Sequence, residues 1–269
     1  NTASLFNRGV DLSVGGYPVS TKEVRWNTSL TFSYNYNEVT KVNSGVTTPQ
    51  SVLSGNPVEG KPVDYLFYYR AGKLTAEGAP TILDNAGHEL AWNSSVQVED
   101  MRFGRKSPQI FGAWSNTVSC KGFDLSMMFT YKMKYEVRMP SVAGSYGSYK
   151  TFDQRWRKPG DEENTWVPKP LHGSFNYTFQ NVVDGSDKQL EKGNMIRLKS
   201  VGLAYDFKRL VKTDVLSALS LKFSAENPWF WASNRDGLDV DRLYESTNST
   251  VFYSGKQPTY YTFTLNVKF

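Results

Sequence analysis

The sequence predicts an all-β fold: a segment of an antiparallel transmembrane β-barrel carrying long outer loops. Three observations predict it. Apolar and polar residues alternate with period two over long stretches, Trp, Tyr and Phe gather toward the strand ends, and short turns alternate with long connections. Strand length separates a membrane sheet from a soluble one. Soluble strands average about 5–6 residues and tilted membrane-crossing strands need about 9–11, whereas the two best runs here reach 14 and 16 residues. A membrane-crossing helix needs about 20 consecutive apolar residues, and the longest aromatic or aliphatic run is only Tyr65 to Tyr69.

Taken in order, Val10, Leu12 and Val14 mark a first, weaker strand. From Val24 to Asn37 one face reads Val24, Trp26, Thr28, Leu30, Phe32, Tyr34, Tyr36 against Arg25, Asn27, Ser29, Thr31, Ser33, Asn35, Asn37. Val63–Arg70 and Ile110–Cys120 are further weak strands. Between Phe123 and Arg138 the odd positions run Phe123, Leu125, Met127, Phe129, Tyr131, Met133, Tyr135, Val137, and only Met128 breaks the polar side. In Met195–Phe207 the apolar phase slips near Lys199 and Ser200, as a β-bulge would make it do. Leu219, Leu221, Phe223 and Ala225 alternate with polar residues, and the last strand sets Tyr261, Phe263, Leu265, Val267 and Phe269 on one side.

The turns at Tyr17–Glu23, Lys121–Gly122 and Lys208–Asp214 are short, and the connections Val39–Pro62, Met139–Asn194 and Pro228–Gln257 are long and polar. Barrels of the outer membrane pair short periplasmic turns with long extracellular loops in this way. If Lys121–Gly122 is periplasmic, an even number of crossings must fit between Asn37 and Ile110. A strand within 71–109, near Ala79–Asp84 or Ser95–Phe103, is then expected beside Val63–Arg70. That makes about nine strands, too few and of the wrong parity to close alone. Trp26, Leu30, Phe32, Leu125, Met127, Phe129, Leu221, Phe223, Phe263 and Leu265 are expected to face lipid, and Asn27, Ser29, Thr31, Ser126, Thr130, Thr264 and Asn266 the lumen.

Composition narrows the function. Seven Trp, 16 Tyr and 16 Phe in 269 residues argue against disorder. The formal charge of +5 comes from 31 basic and 26 acidic residues without a long basic run, so a nucleic-acid partner is not expected. A single cysteine, Cys120, allows neither an internal disulfide nor a cysteine zinc site. The chain starts Asn1-Thr2-Ala3 without a leader-like segment and reads as a mature segment or a fragment. His88 and His172 lie apart in loop-like regions, which gives a His-based triad or metal site little support. Asp161, Glu162 and Glu163 suit a solvated loop better than a paired-carboxylate catalyst. Asp236, Asp239 and Asp241 lack the spacing of a calcium loop and suit a turn. No catalytic residue, metal site or cofactor is expected. Trp156, Trp166, Trp229 and Trp231 fall in the expected outer loops and are candidate ligand or partner contacts. Their competing role is to pack their own loops or to sit in the interfacial belt.

Several segments, in order along nearly the whole chain, resemble the carboxy-terminal barrel portion of SusC/RagA-type TonB-dependent outer-membrane transporters. They are Asn7-Arg8-Gly9-Val10-Asp11-Leu12, Trp26 through Phe32-Ser33-Tyr34-Asn35, Tyr69-Arg70-Ala71-Gly72, and Asn116-Thr117 followed by Lys121-Gly122-Phe123-Asp124-Leu125-Ser126. Arg155-Trp156 with Pro159-Gly160-Asp161, and Ile196-Arg197-Leu198-Lys199-Ser200-Val201, extend the likeness. Glu226-Asn227-Pro228-Trp229 and Gly237-Leu238-Asp239-Val240-Asp241 depart from the family's Gln-Asn-Leu-Phe and Gly-Tyr-Asp-Pro-Glu.

The resemblance implies that residues 1–269 form one stretch of a larger barrel in the bacterial outer membrane, a non-enzymatic part of a nutrient importer for glycans or oligopeptides. It further implies a SusD-like surface lipoprotein partner, TonB acting through a plug that no residue here resembles, the remaining part of the same barrel, and outer-membrane lipid. A dimer of transporter–lipoprotein pairs is compatible with it. The terminal strand, Tyr261 to Phe269, resembles the assembly signal of outer-membrane proteins, with pairing expected near Leu219–Ala225. The competing class is a soluble or surface-attached β-rich carbohydrate-binding module, with a hydrolase a weaker third.

Overall fold

A computed structural model describes residues 2–43, 45–140, 153–169, 177–211, 213, 215–245 and 251–269. In chain order the strands are β1 (Ala3–Ser20), β2 (Val24–Val42), β3 (Tyr65–Leu74), β4 (Pro80–Leu83), β5 (Glu89–Ala91), β6 (Met101–Arg105), β7 (Ile110–Cys120), β8 (Phe123–Met133), β9 (Glu136–Arg138), β10 (Leu190–Lys192), β11 (Met195–Asp206), β12 (Ala218–Ala232), β13 (Leu243–Glu245), β14 (Val251–Tyr253) and β15 (Tyr260–Lys268). Two short helices, α1 (Pro49–Leu53) and α2 (Tyr177–Asp184), lie in the long connections.

Seven of these strands make one antiparallel sheet in the order β1-β2-β7-β8-β11-β12-β15, leaving β1 and β15 as its edges. Pairing places Trp26 opposite Val118, Val118 opposite Leu125, Leu125 opposite Leu203, Leu203 opposite Phe223 and Phe223 opposite Phe263. Directly paired residues share a face, so these six form one apolar row across six strands. A parallel row runs Leu30, Trp114, Phe129, Leu198, Trp229. The expected lipid-facing residues thus share one face, and the expected lumen residues share the other.

The apolar face is bare. Leu30, Phe123, Leu203, Phe223, Phe263 and Leu265 are all exposed, and Phe263 is 73% accessible. So large a contiguous apolar surface suits lipid and not water. Indole N–H groups on that face find partners within it, Trp26 Nε1 donating to Asn116 Oδ1 at 3.0 Å and Trp114 Nε1 to Thr28 Oγ1 at 3.0 Å. Gly112 leaves the gap through which the Tyr131 hydroxyl reaches the Thr31 carbonyl at 2.8 Å. Any side chain there would meet both atoms.

The turn Lys121–Gly122 closes β7 onto β8 with both residues at positive φ (48° and 92°), the conformation that tight hairpins require. The phase slip anticipated near Lys199 is a register shift between Leu198 and Ser200, against β8 and β12 alike. On β12 it is matched by Asn227, at φ 51°, and Pro228, and Lys199 Nζ donates to Asn227 Oδ1 at 3.1 Å. The terminal strand pairs as expected, Leu221 with Leu265 and Leu219 with Val267.

Among the described residues the wall has seven strands rather than about nine. β3, which covers most of Val63–Arg70, does not cross with the others. It joins a separate four-stranded sheet, β5-β4-β3-β6, within the β2–β7 connection. Both candidates for a missing crossing, Ala79–Asp84 and Ser95–Phe103, supply strands to that sheet, β4 and β6. The parity condition is met with no extra crossing. β12 also continues through Pro228 to Ala232, so the last long loop begins later than Pro228.

The outer connections form a packed body. Its core is Val52, Val58, Tyr69, Ile82, Met101 and Val182, drawn from α1 and the loop after it, the small sheet and α2. Thr48 caps α1 in a reciprocal capping box with Ser51. The single Tyr65 hydroxyl proton is donated between the Val52 and Asn56 carbonyls, 3.0 and 2.8 Å away, and burial pushes its pKa up to about 12. The β8–β11 connection docks on this body. Tyr69 N donates to Gly185 O at 2.8 Å, and Arg138 donates to Asp184 O and Phe67 O at 2.7 and 2.6 Å.

Candidate functional site

Strand parity aims small polar side chains at the face opposite the bare one. Ser29, Thr31, Ser115, Thr117, Ser126, Thr262 and Thr264 are among them, as a water-filled interior requires. A buried cation interrupts this lining. Arg197, in the polar phase of β11 between Ile196 and Leu198, lies opposite Thr130 and Phe230. Its side chain is 3% accessible.

The loop after β12 folds back over this face to meet it. Arg197 Nη2 donates to Asp239 Oδ1, and to Asp241 Oδ2 at 3.1 Å, while its guanidinium stands 5.4 Å from the Phe230 ring. Asp241 also takes Lys132 Nζ at 2.6 Å. Asp239, fully buried, accepts from the backbone N–H of Asp241 at 3.2 Å and of Gln257 at 3.0 Å. Two carboxylates facing two cations balance locally, which is how charges survive burial. Tyr135 stands nearby; burial first, then the Asp241 and Asp239 charges, push its hydroxyl pKa up. The result pins a stretch of outer loop onto the inner face of the wall.

The residues singled out in the sequence separate into different roles. Trp156 is buried between its own loop and the β3–β4 turn, and its Nε1 donates to Glu162 Oε2 at 3.0 Å. Its ring lies against Gly78, whose φ of +76° and missing Cβ leave room for it. Trp166 is half-buried and receives the Arg235 guanidinium at 5.4 Å, joining the β8–β11 and β12–β15 connections. Trp229 and Trp231 are not in a loop. They lie in β12 on the bare apolar face, 51% and 46% accessible, because the strand runs past Pro228.

Carboxylates weighed as chemistry are engaged in turns. Asp161 Oδ2 accepts from the Arg157 and Lys158 N–H groups at 2.9 and 3.1 Å, and those bonds hold its pKa down. Glu162 is held down by its own backbone N–H, by the Trp156 indole and by Gly160 N–H. His88 Nδ1 lies 3.0 Å from Asp84 Oδ2 within a local turn, and His172 falls outside the described residues. Among the described residues no group of three His, Cys, Asp or Glu side chains is arranged to hold a metal ion. The pairing of Arg197 with Asp239 went unforeseen, since 42 residues separate them. Its only local trace is an Arg in the polar phase of a strand whose neighbours in that phase are uncharged or exposed.

No family model matches the sequence. The TonB-dependent receptor SusC of Bacteroides thetaiotaomicron is 23% identical over 263 residues, covering 90% of this chain and 24% of that protein. A structure of the RagAB peptide importer in the 'open-open' state superposes with a TM-score of 0.69 over 99% of this chain and 29% of its own, at 18% identity. A structure of the RagAB peptide transporter gives 0.63 over 87% and 26%, at 22% identity. Over most of its length the chain is similar in sequence and fold to a wall segment of a SusC/RagA-type β-barrel. It spans about a quarter of the length of the curated relative it matches. Barrel walls of this type belong in the bacterial outer membrane, and of the two faces the bare apolar one is the face suited to lipid.

Proposed function

We propose that this SusC/RagA-type segment supplies part of the wall, part of the polar lumen lining and the outer loop body of a TonB-dependent importer for oligopeptides or glycans. The observation that carries the reading is the two-faced sheet: one face bare and apolar, the other small, polar and roofed by a loop pinned at Arg197. In this reading a SusD-like lipoprotein docks on the outer body, TonB pulls on a plug elsewhere in the polypeptide, and β1 and β15 pair with the rest of the barrel. Pairing at both edges follows from the cost of leaving backbone groups unsatisfied in lipid, several kcal/mol each. No chemical step is assigned to any residue.

The test is uptake. Cells carrying the intact gene should accumulate one labelled class, oligopeptide or glycan, and lose that uptake when the gene or the energy supply through TonB is removed. Undiminished uptake of both classes after gene deletion overturns the importer reading. Release of the protein from outer membranes by alkaline washing overturns the barrel placement itself and favours a surface-attached module. Deleting Phe269 should lower the amount inserted more than the stability of protein already inserted.

A further inference from the structure

The apolar face ends at its outer rim in cations. Trp26 and Tyr36 are ten residues apart on β2, and a strand tilted by about 40° climbs about 25 Å over that length, the height of an outer-membrane apolar band. Tyr36 therefore stands at the outer interface. Two guanidinium groups flank its ring: Arg8, its partner on β1, at 5.2 Å, and Arg105, from the end of β6, at 4.5 Å. Arg105 is anchored by a 3.1 Å bond from Nη1 to the Asn37 carbonyl.

Arg105 also lines an open pocket of about 500 Å³ together with Ile110, Met133, Lys134, Glu136 and Lys192. Ile110 pairs with Tyr34 and with Met133, so both apolar lining residues belong to the lipid face. Met133 is ten residues above Phe123 on β8, again the full height of the band. The pocket thus opens where acyl chains give way to headgroups, with apolar residues below and cations around it. Among the described residues none of Arg8, Arg105, Lys134 and Lys192 forms an ion pair. Of the carboxylates in reach, Glu38 accepts the Tyr36 hydroxyl, and Glu136 lines the pocket with its Oε2 buried and without a hydrogen-bond partner, so the cations around the pocket outnumber its one lining carboxylate.

We propose that Arg8, Arg105, Lys134 and Lys192 bind the phosphate headgroup of an outer-leaflet lipid, whose chains lie down the Tyr34, Ile110 and Met133 row. Charge complementarity asks for an anion, and the apolar base of the pocket asks for one attached to hydrocarbon. A free anion would gain nothing from Ile110 and Met133. The proposal rests on the outer-membrane placement of the wall and not on transport, so it stands or falls apart from the uptake test.

The test uses the complete barrel protein in phosphatidylcholine nanodiscs doped with phosphatidic acid or, in parallel, with diacylglycerol. Retained lipid is counted by native mass spectrometry after release. Phosphatidic acid should be retained and diacylglycerol not, with excess inorganic phosphate failing to displace it. Each basic residue near an anionic lipid surface is worth about fivefold, so R8Q/R105Q/K134Q should weaken retention about a hundredfold. Lys222→Gln, on the lumen face, should leave it unchanged. Equal retention of both lipids, or retention untouched by the triple substitution, overturns the proposal. Displacement by inorganic phosphate overturns the lipid assignment in favour of a free-anion site. Heat-modifiable gel migration reports folding, and if the triple variant does not fold, Arg105→Gln alone should lose about fivefold.

Discussion

The wall sheet and the outer body solve opposite solvent problems with the same residue types. In the wall, Leu203, Phe223 and Phe263 are exposed on paired strands, and nothing among the described residues covers them. In the body, Ile82, Met101 and Val182 are within a few percent of complete burial, packed on Tyr69 and Val52. One region keeps its apolar atoms out of water by facing lipid, the other by facing itself. The difference teaches that period-two alternation marks a solvent boundary, while a mixed run such as Tyr65–Leu74 marks a strand covered on both sides.

Changes that treat the two regions alike should separate them. The largest effect is expected where they are tied together. Arg197→Met strands Asp239 as a buried carboxylate and should cost about 3–5 kcal/mol of the local stability of loop 233–259. Limited proteolysis should then cut that loop while the wall keeps its heat-resistant migration; an uncut loop would show that the ion cluster is not the tether. Next, Met101→Ala opens a cavity in the body and should cost about 2–5 kcal/mol, seen as a lower melting transition of the outer body. The matched change Leu221→Ala on the wall should cost far less, because fluid acyl chains fill the space. Equal losses would erase the distinction between the two cores.

A charge sharpens the contrast between the wall's own faces. Met127→Arg points into lipid and should cost about 2–4 kcal/mol, against less than about 1 kcal/mol for its neighbour Ser126→Arg on the lumen side. Refolding titrations into lipid vesicles measure both, and a reversed order would invert the assignment of faces.

The smallest effect is in the outer body's acid response. Glu162 and Asp161 have lowered pKa values in the folded chain, so their contribution is fully present above the ordinary carboxylate values of 4.5 and 3.8. It is lost as pH falls through the lower folded values. Protease susceptibility of residues 153–169 should therefore rise below about pH 4. Glu162→Gln keeps an acceptor for the Trp156 indole and should flatten that rise.

What could be read without the structure was whatever is local. Alternation in Val24–Asn37 and Phe123–Arg138, the phase slip at Lys199 and the pairing of the terminal strand with Leu219–Ala225 all came from residues a few positions apart or from matched patterns, although the second run breaks at Lys134 (φ 59°) and Glu136–Arg138 pairs with β10 instead. Side-chain period is a property of the strand backbone itself, so it shows wherever one face meets a different solvent. Tertiary structure alone decided which sheet a strand joins. β3 looked like a crossing and instead pairs with β4 and β6, because sheet membership depends on partners 6 to 40 residues away and not on the strand's own pattern. It also decided that Trp229 and Trp231 lie on the bare apolar face, that Trp156 packs between its loop and Gly78, and that Arg197 meets Asp239 across 42 residues. Burial and charge pairing are set by what the rest of the chain brings to a residue, and sequence neighbours carry no record of that.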